Sequence, residues 1–252
     1  MDRFDAYIIC TSPRSGSTLL CKLLQAVPGA GQPDSHFHQP SLEAWLEDYG
    51  LNRADFTDRK AALQAVFRSA RSRGTGDGGV FGLRMQGRSF PFFRDQLGVL
   101  QPEPMGDRAR IEAAFGRTLF IHLTREDKLD QAISFIRAEQ SGLWHRAADG
   151  SELERLSEPQ PPRYDADAIA AERDEFTRMD AAWTDWFAAE AISPLRLTYA
   201  ELAAAPYPML NRVLVALGLE ARPLEGETPP VAKLADEINR DWAKRFRADN
   251  RF

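Results

Sequence analysis

A short polar segment after the first apolar run has the residue types of an anion-binding turn. Residues Tyr7–Cys10 are apolar and rich in isoleucine, and leucines at helical spacing follow the polar segment Thr11–Thr18. A turn between a buried strand and a helix presents free backbone N–H groups at the positive end of the helix dipole. Arg14 would add a fixed positive charge, and Gly16 would let the backbone approach the ligand closely. The candidate anion ligands are Arg14, Ser15, Gly16, Ser17 and Thr18.

Two alternatives to this interpretation stay open. A serine-rich helix start without a ligand would show the same residue types. An ATP-dependent phosphotransferase is disfavoured, because the turn lacks the opening glycine and the Gly-Lys-Ser/Thr ending of a Walker A motif. We expect no metal, since Cys10 and Cys21 lack the spacing of metal ligands; both are predicted to be buried thiols.

A second strand–turn–helix pattern carries another arginine. The apolar segment Arg117–Leu123 runs into Thr124–Asp127, and apolar residues at helical spacing follow. Ligands of doubly wound sheets bind outside the carboxyl ends of the strands. Arg125 should therefore lie at the same edge as the first turn, where its guanidinium is suited to hold a second phosphate. Ser134 lies in the helix that follows. The alternative is a solvated pair of Arg125 and Asp127.

The elements that position these residues alternate between strands and helices. Further strands are predicted at Val80–Met85 and Leu195–Tyr199, and a long amphipathic helix at Asp165–Glu190. This order predicts an α/β fold with a doubly wound parallel sheet, helices on both faces and a helical C-terminal part. Asp149–Arg163 is predicted to be a surface loop, and residues 1–252 are predicted to form a single domain.

Composition excludes some partners. The 252 residues carry a formal net charge of −5, which is unfavourable for a general nucleic-acid binder. No apolar run approaches the roughly 20 residues of a membrane span. The amino terminus lacks the pattern of a signal peptide. We therefore expect a cytoplasmic protein without an integral membrane segment.

Six segments together carry a family resemblance. They are Ser12–Leu20, Gly31–Pro33 with Phe37 behind it, Phe81–Met85, Ile121–Asp127 with Gln131–Phe135, Trp183–Phe187 and Trp242–Phe246. In this order and spacing they resemble the carbohydrate sulfotransferases of the trehalose 2-sulfotransferase type. These enzymes use 3′-phosphoadenosine 5′-phosphosulfate (PAPS) as sulfuryl donor.

The resemblance implies a P-loop-like fold and a set of donor ligands. The turn residues 14–18 would hold the 5′-phosphosulfate, and Arg125 with Ser134 would hold the 3′-phosphate. The basic tail, including Arg245, would close over the nucleotide. The acceptor would be a carbohydrate, a glycolipid or another hydroxyl compound, and the family suggests a homodimer.

The chain departs from the family where the general base is expected. A glutamate follows Gly-x-Pro-x in the trehalose enzymes, whereas Ser35 stands here between Asp34 and His36. Serine is a poor base at neutral pH, and histidine is well suited to this role. Our hypothesis is that His36 is the base, with Asp34 orienting it and Arg14 stabilising the leaving phosphate. His38 is the second candidate. The alternative is that both histidines serve only as hydrogen-bonding groups in a loop.

The acceptor side is predicted from the same region. Its candidate residues are Gln32, Pro33, Ser35, His36, Phe37, His38, Trp45 and Arg84. A tryptophan at position 45 would stack on a sugar face, although a lone tryptophan is more often a core residue. Trp144 and His145 would form either cleft wall or surface. A non-catalytic protein that binds 3′-phosphonucleotides remains the alternative function, because the family glutamate is replaced.

Overall fold

The computed structural model describes residues 3–77, 79–147, 149–221, 230 and 236–249. The strands of the described chain are β1 (Ala6–Thr11), β2 (Phe81–Gln86), β3 (Thr118–Thr124), β4 (Leu143–Arg146), β5 (Glu152–Arg155) and β6 (Leu195–Thr198). Its helices are α1 (Ser17–Gln25), α2 (Leu42–Asp48), α3 (Arg59–Thr75), α4 (Phe90–Leu100), α5 (Asp107–Phe115), α6 (Lys128–Ser141), α7 (Ala166–Ala189), α8 (Tyr199–Ala204), α9 (Pro206–Leu217) and α10 (Glu237–Asp249). A short 3-10 helix spans Arg53–Asp55.

The main sheet has the strand order β2-β1-β3-β6, and all its strands are parallel. Ala6, Ile8 and Cys10 of β1 pack on one face against residues of α3, α4, α5 and α7. Tyr7 and Ile9 pack on the other face against residues of α1, α8 and α9. Successive side chains of a strand point to opposite faces, so the fully buried β1 supports two cores at once. The predicted doubly wound sheet is confirmed, and the described chain after β6 is helical.

The register of the sheet brings three strand ends to one edge. Thr11 at the end of β1 lies opposite Gln86 of β2 and Leu123 of β3. The segment after α1 joins this edge through an isolated parallel bridge between Asp34 and Leu83. Residues that follow β1, β2 and β3 therefore meet in one place.

The structure bears on two local predictions, the two buried cysteines and the surface loop at 149–163. Cys10 and Cys21 are buried as predicted, and burial raises the pKa of Cys21 to about 11, so its thiol stays neutral. The segment 149–163 is exposed, as a surface loop should be, but it also contains β5. Strand β5 pairs with β4 in an antiparallel hairpin of irregular register. This hairpin begins directly after α6 and carries Trp144 and His145.

Gly31 allows the chain to turn from α1 back to the sheet edge. Its φ is 79°, and a Cβ there would lie 2.2 Å from the carbonyl oxygen of Val80. We expect Gly31→Ala to cost more than the ~1–3 kcal/mol of a left-handed non-glycine residue, because the clash is with backbone. Gly50→Ala is the matched control, since Gly50 has a φ of 63° and no heavy atom within 4 Å of such a Cβ. Urea unfolding measures both losses, and equal losses would contradict the steric account.

Candidate active site

The turn between β1 and α1 leaves a helix start open to an anion. Gly16 precedes α1 with a φ of 87°, and among the described residues no side chain caps the helix. Arg14 also has a positive φ, of 61°, which is uncommon for a residue with a side chain. The first N–H groups of an uncapped helix lack intrahelical partners, so they are available to an anionic ligand.

The base of the turn is fixed by buried hydrogen bonds around Thr11. Thr11 Oγ1 donates to the carbonyl oxygen of Leu123 at 2.8 Å and lies 2.5 Å from Ser15 Oγ. The Thr11 carbonyl oxygen accepts from the indole of Trp183 at 3.2 Å. The turn is thereby tied to the neighbouring strand β3 and to helix α7.

Gln131 in α6 fixes the middle of the turn. Its amide nitrogen donates to Ser12 Oγ at 2.9 Å and to the carbonyl oxygen of Pro13 at 2.6 Å. The Gln131 side chain is fully buried. Sequence reasoning placed Gln131 in a family segment but gave it no role in shaping the turn.

Two arginines meet above the turn. Arg14 donates from Nε to Ser134 Oγ at 3.0 Å and from Nη1 to the carbonyl oxygen of Trp144. Arg125 donates from Nη1 to the carbonyl oxygen of Arg14 at 3.4 Å, and its guanidinium lies 4.6 Å from the ring centre of Tyr199. Burial, together with the charge of Arg125, lowers the pKa of Arg14 to about 10. The structure thus brings Arg125 and Ser134 to the turn, as their positions after β3 predict.

Arg84 of β2 forms the other wall. It donates to Thr18 Oγ1 at 2.8 Å and to Ser35 Oγ at 2.8 Å. It also pairs with Asp34 at 3.2 Å. The Asp34 side chain remains 65% exposed, so its carboxylate is open to a ligand. Arg84 therefore links the predicted donor residue Thr18 to the predicted acceptor residues Ser35 and Asp34.

His145 of β4 completes this group. Its Nε2 lies 3.0 Å from Thr18 Oγ1 and 3.4 Å from Glu154 Oε2 of β5. Burial, followed by the charges of Arg14 and Arg84, lowers the pKa of His145 to about 3, so the imidazole is neutral at pH 7. Sequence reasoning left His145 undecided between cleft wall and surface. Its position after the helix of the second strand–turn–helix unit was the only signal.

The two histidines predicted as bases lie elsewhere. His36 is buried, with Nε2 3.0 Å from the carbonyl oxygen of Gln32 and its ring stacked on Phe81 at 5.9 Å. Burial lowers the pKa of His36. His38 is exposed, and its carbonyl oxygen accepts from Ser89 Oγ. No hydrogen bond found in the described chain joins either imidazole to Thr18 or Arg84, so the geometry gives these base assignments no support.

Several predicted acceptor residues belong to the core. Phe37 and Trp45 have 1% and 0% exposure, and their rings pack 5.0 Å apart edge to face. A side chain without exposed surface has no contact to offer a sugar, which corrects the prediction for these two residues. Pro33 is buried and its carbonyl oxygen accepts from Gln25, whereas Gln32 is exposed.

Arg245 is likewise placed away from the turn. Its guanidinium lies 4.0 Å from the ring centre of Tyr164, and Nε lies 3.9 Å from Asp249. Helix α10, which carries it, packs on α6 through Trp242 and Phe246. The predicted closure of Arg245 over the nucleotide has no counterpart in these contacts.

The fold and the site define a class of protein. A parallel sheet with an uncapped helix start, two arginines and no Walker lysine in the first turn is typical of a P-loop-like α/β protein. The family model for the Stf0 sulphotransferases matches residues 6–249. The chain therefore belongs to the Stf0 sulphotransferase family, and it is a sulfotransferase.

Several known proteins are similar to this chain. The chain is 28% identical to the trehalose 2-sulfotransferase of Mycobacterium tuberculosis, over 96% of this chain and 94% of that protein. It is 27% identical to the trehalose 2-sulfotransferase of Mycolicibacterium smegmatis, over 98% and 96%. A solved sulfotransferase from Alicyclobacillus acidocaldarius is similar with a TM-score of 0.45 and 14% identity, over 99% of this chain and 93% of that one.

None of the helices in the described residues is long and apolar enough to cross a membrane.

The role of Gln131 in the turn is testable. Gln131→Leu leaves Ser12 Oγ and the Pro13 carbonyl without their donor, so we expect a loss of about 1–3 kcal/mol in the free energy of unfolding. Gln140→Leu, which removes exposed hydrogen bonds to Arg163 from the same helix, is the control. Urea unfolding compares the two variants. A loss no larger than that of the control would show that the buried amide does not stabilise the turn.

Proposed function

We propose that this sulfotransferase moves the sulfuryl group of PAPS to a hydroxyl of a carbohydrate or glycolipid by in-line transfer. One observation carries the proposal: Arg14, Arg125 and Ser134 converge beside an uncapped helix start. PAPS has a 3′-phosphate and a 5′-phosphosulfate, and this arrangement offers two adjacent cationic positions. The family match supports the reaction type.

The donor residues divide between the two ends of PAPS. The turn residues Ser15, Gly16, Ser17 and Thr18 would bind the 5′-phosphosulfate through backbone N–H groups and hydroxyls. Arg125 and Ser134 would bind the 3′-phosphate. Arg14 lies between the two groups and would stabilise the negative charge that develops on the leaving phosphate. An anion there would also offset the repulsion between the two guanidinium groups.

The acceptor would approach along Arg84. The exposed Asp34 carboxylate and the Ser35 hydroxyl beside this arginine can hydrogen-bond to sugar hydroxyls. The relatives named above are trehalose enzymes, which supports a carbohydrate acceptor. Ser35 replaces the glutamate of their motif, so the proposal covers carbohydrate and glycolipid hydroxyls in general. The cytoplasmic location and the homodimer stay predictions.

A non-catalytic protein that binds 3′-phosphonucleotides is the second candidate. Ser35 in place of a glutamate, together with the inward position of His36, favours this candidate. Both functions share the donor site and differ only in turnover.

The donor site is tested by calorimetry with adenosine 3′,5′-bisphosphate (3′,5′-ADP), compared with ATP and magnesium. We expect binding of 3′,5′-ADP only. Arg125→Ala should weaken this binding about 10- to 100-fold, because a charge-assisted contact to the 3′-phosphate is worth about 1.5–3 kcal/mol. Arg178→Ala is the control, since Arg178 is 73% exposed and pairs with Glu175. Equal affinities of wild type and Arg125→Ala would remove Arg125 from the donor site.

Turnover is tested by transfer of radiolabelled sulfate from PAPS to a panel of acceptors. We expect labelled product with at least one sugar or glycolipid and none without an acceptor, because the exposed Asp34 carboxylate lies beside Arg84, which contacts the donor turn at Thr18. Tight binding of 3′,5′-ADP without product for any acceptor would favour the non-catalytic alternative. Binding of neither nucleotide would contradict both functions.

A further inference from the structure

His145 is the imidazole that reaches the predicted donor turn. Its Nε2 lies 3.0 Å from the hydroxyl oxygen of Thr18. The strand that carries it is held to the turn, because Arg14 donates to the carbonyl oxygen of Trp144, one residue earlier. The side chain is partly buried, so it faces the group formed by the turn, β2 and the hairpin.

The hydrogen bonds around Thr18 indicate which nitrogen of His145 carries the proton. Arg84 can only donate, so Thr18 Oγ1 accepts from Arg84 Nη1 at 2.8 Å. The acceptor within reach of the hydrogen of this hydroxyl is His145 Nε2. In the tautomer in which Thr18 donates to Nε2, the ring proton is on Nδ1 and the Nε2 lone pair faces the turn. Nε2 is then able to accept a proton.

The surrounding charges suit a group that starts neutral and becomes charged during the reaction. The cations Arg14 and Arg84, together with burial, keep the imidazole neutral before the reaction. Glu154 lies 3.4 Å from Nε2, so it stabilises an imidazolium once that has formed. An anionic donor beside Arg14 and Arg84 offsets their charges and makes His145 more basic.

We propose that His145 Nε2 is the general base that takes the proton of the acceptor hydroxyl, an inference that rests on the proposed function. The acceptor oxygen forms a bond to sulfur, and the bond between sulfur and the 5′-phosphate oxygen breaks. The electron pair of that bond stays on the phosphate oxygen of 3′,5′-ADP. The hydroxyl proton moves to Nε2, and the resulting imidazolium later releases it to water. The products are a sulfate ester and 3′,5′-ADP.

Bound donor also prepares the base. The Thr18 hydroxyl has one hydrogen, and an oxygen of the bound phosphosulfate is the stronger acceptor because it is charged. When this hydrogen turns to the donor, His145 Nε2 is free to accept from the sugar hydroxyl. Donor binding thus exposes the base beside the reacting sulfur.

His145→Gln tests the assignment directly, with His145→Asn as a second variant of different size. We expect kcat to fall about 10²- to 10⁴-fold, as for the loss of a general base. The affinity for 3′,5′-ADP should stay within about threefold of wild type. In wild type, kcat should fall as the pH drops below the pKa of His145 in the donor complex, and this acidic limb should vanish in both variants.

Matched controls separate the base from a structural role. Arg146→Gln alters the next, exposed residue of β4 and should leave kcat and the pH profile unchanged. His36→Gln tests the rival base. Glu154→Gln keeps His145 but removes the negative partner of the imidazolium, which lowers the pKa of His145. The acidic limb of the pH profile of kcat should therefore move to lower pH by less than about one unit. A merely structural role of the hairpin would not produce that shift.

The outcomes separate a failure of the proposed function from a failure of the His145 assignment. Wild type that transfers no sulfate from PAPS to any acceptor overturns the proposed function and this inference together. Active wild type with His145→Gln retaining at least a third of its kcat overturns the inference alone. The inference is also overturned if the acidic limb persists in His145→Gln, if it does not move in Glu154→Gln, or if His36→Gln alone shows the loss.

Discussion

Arg14 and Arg125 reach the same edge of the sheet from the ends of two neighbouring strands, and their like charges repel there. The protein holds them with uncharged acceptors, namely Ser134 Oγ and the carbonyl oxygens of Arg14 and Trp144. The carboxylate of Asp130 lies 3.7 Å from Arg125, and its side chain is 46% exposed. One half-exposed carboxylate does not balance two guanidinium groups, so an energetic incentive to bind a polyanion remains, and the buried turn beneath supplies the rigidity this requires.

The donor half of the site was predictable because its signals are local. Arg125 follows β3 directly and Arg14 lies three residues after β1, and parallel strands end at a common edge, so the two arginines were predicted to approach each other. Ser134 follows from its place in the helix after the second turn. Gln131 was not predictable in its role, because a buried amide bridging Ser12 and Pro13 depends on how α6 leans over the turn.

The acceptor half was less accessible to sequence reasoning because its geometry depends on tertiary contacts. The sequence predicts His36 or His38 as the base, but the chain after the Asp34 bridge turns His36 toward Phe81. Tryptophan is a residue type that stacks on sugars, but the Trp45 side chain is buried in the core. His145 lies on a short irregular hairpin that is positioned by tertiary contacts of Arg14, Thr18 and Phe135, and no periodic pattern in the sequence predicts such an element.

The central place of β1 in the sheet also determines at which point of synthesis and folding the site can form. This strand precedes its partners along the chain, since they begin at Phe81 and Thr118, and the hairpin that reaches the turn follows still later. Pairings so distant along the chain are slow to form, because loop closure precedes their stabilisation. A growing chain therefore carries β1 as an unpaired apolar strand until β2 has been made, and without its second partner until β3 has been made. The centre of the sheet is thus complete only after β3 has been made, and until then β1 is a segment in need of protection from aggregation.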